Sequence, residues 1–79
     1  MIMDYLVFGD NVSKAVRIDA DNVPDGARTA LQCVEQETGR SCSMVIHLPG
    51  NRSFEELAQI TLADVLKPGE VVQAFEFDD

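Results

Sequence analysis

One segment constrains this chain more than any other. In "NVPDGARTALQCVEQETG", Ala27, Ala30, Leu31 and Val34 recur at i, i+3, i+4 and i+7, which draws a single apolar stripe along a helix. Asp21 or Asn22 offers a side-chain cap, and Pro24 is tolerated in a first turn, where its missing N–H has no partner to lose. Gly39 suits the left-handed position past the last turn. The spacing therefore predicts a helix over 23–38. A helix with one apolar stripe is stable only when that stripe is covered, and its neighbours in sequence read as strands. The helix must then lie on one face of a sheet.

Residues 2–8, "IMDYLVF", are rich in strand formers, and Gly9-Asp10-Asn11 follows as a turn signal. In 12–19, Val16 and Ile18 point one way while Arg17 and Asp19 point the other, so the two segments read as a hairpin. Residues 43–48 form a third strand, with Met44, Ile46 and Leu48 on one face and Val45 and His47 on the other. Ser53-x-x-Glu56 is a capping-box pattern that predicts one helical turn over "SFEEL". Thr61-x-x-Asp64 is a looser version of it, anchored by Leu62, Val65 and Leu66. Lys67-Pro68-Gly69-Glu70 turns the chain into a last strand, 71–77. The expected order is β-β-α-β-β in a single α+β domain, 1–79, with one helix packed on one face of a mixed sheet.

Size and charge narrow the functional classes. A chain of 79 residues buries only about 60% of the surface that its unfolded form exposes. With 46% hydrophobic and 25% charged residues, it has the composition of a globular protein. No apolar run approaches the roughly 20 residues of a membrane helix. "MIMDYLVFGD" carries Asp4 and no basic run, so it does not read as a signal peptide, and a cytoplasmic location is expected. Two cysteines, Cys33 and Cys42, are fewer than a secreted domain of this size usually carries. Fourteen acidic side chains against six basic ones leave a net charge of −8, which repels phosphate backbones and argues against direct nucleic-acid binding. The same charge serves either solubility or docking on a basic partner surface.

The element order and lengths resemble the β-grasp fold of ubiquitin-like proteins. "ITLADVLKPGEVVQAFEF" carries the closest likeness, with Thr61, Leu62 and Asp64 in the places of ubiquitin's turn before its closing strand. "LQCV" and "LKPGEVVQAFEFDD" are also similar to the small ubiquitin-like auxiliary subunit of bacterial multicomponent aromatic monooxygenases. The likeness implies a closing strand in the centre of the sheet and an open sheet face that binds partners. It also brings departures. Phe77-Asp78-Asp79 stands where conjugating and sulfur-carrying relatives end in Gly-Gly, and no Gly-Gly occurs anywhere. Two cysteines fall short of the four that an iron–sulfur relative needs.

The chemistry-bearing residues are few. His47 is the only histidine, and along a strand it and Cys42 project to opposite faces. Cys33 lies beside the helix stripe, where packing explains it better than reactivity. Cys33, Cys42 and His47 together fall short of the four Cys/His ligands of a structural zinc site. Asp19, Asp21 and Asp25 hint at calcium but lack the closing glutamate of a binding loop, and helix capping accounts for them. No glycine-rich phosphate loop is present. No cofactor and no enzymatic activity are expected.

Binding is the better expectation. In the last strand Val71, Gln73, Phe75 and Phe77 share one face, while Val72, Ala74 and Glu76 share the other. Residue count turns the phenylalanines toward the helix. The ubiquitin-like likeness turns them outward, beside Val45 and His47. The expected partner-binding residues are Val45, His47, Gln73, Phe75 and Phe77, in a non-catalytic interaction module or auxiliary subunit of a larger cytoplasmic assembly. Homo-oligomerisation is left open. The rival reading is a small acidic, phage-type inhibitor that masks a basic nucleic-acid-binding surface.

Overall fold

A computed structural model of the chain describes residues 1–49, 53–60 and 72–77. The element order is β1 (Ile2–Gly9), β2 (Val12–Asp19), α1 (Val23–Thr38), β3 (Cys42–Leu48), α2 (Phe54–Gln59) and β4 (Ala74–Glu76). The hairpin turns on Asp10 and Asn11, with Asn11 in the left-handed region at φ 56°. Helix α1 spans the predicted residues. The Asn22 side chain accepts the Asp25 N–H at 2.9 Å, and Gly39, at φ 68°, donates its N–H to the Glu35 carbonyl at 2.9 Å. These bonds satisfy backbone groups that a helix leaves unpaired at its two ends. Ser53 caps α2 in the expected way, accepting the Glu56 N–H at 3.2 Å. The expected turn around Thr61, Leu62 and Asp64 lies outside the described residues.

The sheet runs β2-β1-β3-β4, and every described ladder in it is antiparallel. Two expectations change here. The sheet was expected to be mixed, and the closing strand was expected at its centre; β4 instead lies at the edge, paired to β3 alone among the described residues. Burial explains the exchange. In β3, Val45, Ile46 and Leu48 are all buried, on alternating faces, and a strand apolar on both sides belongs in the interior. Ala74 and Glu76 of β4 are exposed, which an edge position permits.

Both sheet faces are covered. On one, α1 lays Ala27, Ala30, Leu31 and Val34 against Met3, Tyr5, Val7, Ile18 and Val45. On the other, Leu57 of α2 joins Leu6, Ile46 and Leu48. The stripe read from the sequence is thus the buried face of α1, while the sheet's second face, expected to be open, carries α2.

Two contacts set the spacing of these layers. Tyr5 is fully buried, and its hydroxyl donates to the Val23 carbonyl in the first turn of α1 at 2.9 Å. Gly26 makes that approach feasible, because a Cβ there would overlap the Tyr5 hydroxyl. On the second face Asp4 is buried at 3% exposure beside Arg17, its partner across the hairpin. The guanidinium donates twice, Nε to Oδ1 at 2.8 Å and Nη2 to Oδ2 at 3.2 Å. A carboxylate withdrawn from water needs such a partner, and the fork geometry of arginine meets both oxygens at once.

Candidate interaction surface on β3 and β4

The register of β3 and β4 brings the five expected partner-binding residues together. Phe75 lies opposite Val45, the His47 N–H donates to the Gln73 carbonyl at 2.8 Å, and the Phe77 N–H donates to the Ser43 carbonyl at 2.8 Å. All five therefore share one side of the sheet, and it is the α1 side. Of the two alternatives for the phenylalanines, the structure shows the one facing the helix. Phe75 and Phe77 are half-buried and pack against the α1-side cluster. Val45 has no exposed surface, so its side chain supports this strip from beneath rather than presenting it.

What reaches solvent is a narrow border of the core. Gln73 is exposed, and His47 is half-buried with its ring tilted 54° against Tyr5 at a centroid distance of 5.5 Å. The outer edges of Phe75 and Phe77 continue the strip, and Glu76 projects from the opposite face of β4. The arrangement pairs a small apolar area with polar neighbours, as protein-binding surfaces do.

Cys42 departs from the sequence expectation. Strict alternation puts it on the face of Met44, opposite His47. The β1–β3 register shifts between Phe8 and Gly9, where Phe8 faces Met44 and Gly9 faces Cys42. This bulge inserts one residue and turns Cys42 into the α1-side cluster at 2% exposure. Its backbone N–H donates to the Glu35 carboxylate at 3.1 Å. Burial, and then the negative charge of Glu35, push the Cys42 thiol up from its ordinary range, which holds it in the less nucleophilic protonated form. Cys42 and His47 share a sheet side but stand about 16 Å apart along β3, too far for a catalytic pair. Cys33 is exposed on α1, and both cysteines are free thiols.

Asp19 at the end of β2 and Asp25 in the first turn of α1 hold structural partners. Asp19 takes the Met1 ammonium at 2.8 Å, and Asp25 receives the Asn22 amide at 3.0 Å. Among the described residues no group of three or more His, Cys, Asp or Glu side chains is placed to hold a metal ion. None of the described helices is long and apolar enough to cross a membrane.

The hairpin pair Asp4–Arg17 was missed in the sequence, although it was readable there. A two-residue turn at Asp10-Asn11 pairs residues equally distant from it, which sets Asp4 opposite Arg17. Compared with known proteins, the chain matches no family model, and no curated protein or solved structure matches it.

Proposed function

We propose that the chain is a non-catalytic protein–protein interaction module, acting as an auxiliary subunit of a larger cytoplasmic assembly. The observation that carries this reading is the strip along β3 and the edge strand β4, where half-buried His47, Phe75 and Phe77 stand beside exposed Gln73. Apolar side chains left partly exposed beside exposed polar ones suit docking, where the remaining apolar surface is covered by a partner. A ubiquitin-like relationship belongs to the same proposal. It is supported by the β-β-α-β order and the sequence likeness around Thr61, Leu62 and Asp64, whereas the edge position of β4 counts against it.

Affinity capture from the native source tests the interaction reading, with wild type compared against His47→Ala/Gln73→Ala. A partner held by wild type and released by the double variant supports it. Equal capture by both proteins would sink it, because the two substitutions remove the polar side chains that the strip presents to solvent.

A second reading rests on the charge of −8, much of it on exposed side chains such as Asp10, Asp21, Glu37, Glu55 and Glu56. It is an acidic inhibitor seated on a basic nucleic-acid-binding surface. Charge-driven capture weakens steeply as ionic strength rises, whereas capture through the apolar strip does not.

A further inference from the structure

The hydrogen-bond phase of β4 says which of its backbone groups look away from the sheet. Gln73 and Phe77 direct their backbone toward β3, through the His47 N–H to the Gln73 carbonyl and the Phe77 N–H to the Ser43 carbonyl. Phe75, opposite Val45, stands midway between them in the same phase. In an antiparallel ladder the intervening residues direct their N–H and C=O groups the other way. Ala74 and Glu76 thus present an outward row of donors and acceptors, and both side chains are exposed. Among the described residues nothing pairs with that row.

We propose that the outer edge of β4 receives an extended, cationic polypeptide segment of a partner protein as a fifth strand. The backbone of Ala74 and Glu76 would supply the ladder, and the alternation along β4 would offer two different faces to the guest's side chains. The net charge of −8 and the carboxylate of Glu76 choose a lysine- or arginine-bearing guest over an acidic one, and they oppose a second copy of this chain. This inference rests on the interaction reading above and specifies how the partner is held.

The test is amide hydrogen exchange with a blocked peptide of alternating valine and lysine as the probe, and its valine–glutamate counterpart as control. The amides of Ala74 and Glu76 should exchange freely in the protein alone, slow on addition of the cationic peptide, and ignore the acidic one. Ala74→Pro removes an outward N–H at an edge position that tolerates proline, so the fold stays and affinity falls about tenfold, the equivalent of one lost backbone hydrogen bond. Glu76→Lys should weaken the cationic peptide and steepen nothing in salt. Slow exchange at Ala74 and Glu76 without peptide overturns the proposal: in a monomer the chain already covers its own edge, and in a dimer a second copy does. Unchanged exchange at millimolar cationic peptide, or equal binding by Ala74→Pro, overturns it as well. Either result leaves the capture test of His47 and Gln73 standing, so the two failures are distinguishable.

Discussion

The two faces of the sheet are built from the same strands but differ in depth. Among the described residues, the α1 side gathers ten buried residues around a 16-residue helix, while the α2 side gathers four around a helix of six. The deeper face buries no charged side chain among the described residues and seats the one tyrosine beneath the helix backbone. The shallower face admits Asp4 and Arg17 at one end. A short helix at a sheet surface is held by few side chains and yields more readily than a long one. Among the described residues the α1 side is therefore the more deeply packed of the two.

Equivalent truncations on the two faces should show this. Leu31 and Leu57 are both buried leucines, one on the inner face of α1 and one in α2. Leu31→Ala should cost about 4 kcal/mol and Leu57→Ala about 2–3 kcal/mol, because a cavity costs less where the surroundings can close over it. Denaturant melts of the two variants read the difference directly. A Leu57→Ala loss equal to or larger than that of Leu31→Ala would break the comparison and make α2 an equal partner.

Gly26→Ala sharpens it next. In an exposed helix interior this exchange usually stabilises by about 1 kcal/mol. Here the new methyl group meets the Tyr5 hydroxyl, which is buried and has nowhere to retreat. The sign should therefore reverse, with a loss of about 1–3 kcal/mol from overpacking. A thermal melt that rose with Gly26→Ala would show that α1 stands off from β1 and that the α1 side is looser than the structure shows.

These differences bear on what could be read from the sequence. Helix α1 was legible over 23–38, because its stripe, a cap at Asp21 or Asn22 and its stop at Gly39 are local signals that agree with the packing, and the structure gives the cap to Asn22. The hairpin and the first turn of α2 were legible for the same reason. The place of β4 was not, since strand order is decided by pairing across the chain, and both faces of 71–77 carry apolar residues. A signal did exist in the contrast between "MVIHL", apolar on both faces, and "QAFEF", broken by Gln73 and Glu76. The likeness to ubiquitin outweighed it for the place of the strand, and set against residue count it left both orientations of the phenylalanines open. Cys42 escaped because a bulge is invisible to strict alternation, and one inserted residue exchanges the faces.

Tyr5 gives a smaller effect with its own readout, because it is the only tyrosine and the chain has no tryptophan. Removing the hydroxyl with Tyr5→Phe should cost about 1 kcal/mol, the usual net worth of one hydrogen bond. Burial raises the Tyr5 pKa above its ordinary value of 10.0. The neutral phenol is thus favoured in the folded protein, and the associated stability is whole below pH 10 and declines as pH rises from there through the folded value. Tyrosinate absorbance in the native protein should appear at higher pH than in the unfolded chain. Tyr5→Phe should remove that part of the alkaline loss, though not the part owed to Cys42. A tyrosine that titrated normally in the native protein would place it in water and dissolve the anchor between β1 and α1.

The mildest probe of the two faces changes no residue. Cys33 is exposed on the outer surface of α1, and Cys42 is buried where the bulge turns β3 beneath that helix. A disulfide reagent at neutral pH should label one thiol per chain on mixing, since the exposed group needs no structural opening. The second should follow only as fast as the α1 side opens, because access and a raised thiol pKa both hold it back. Cys33→Ser should abolish the fast phase and leave the slow one unchanged. If Cys42 labelled as quickly as Cys33, the start of β3 would separate from α1 in the native protein, and the α1 side could no longer be the firmer face.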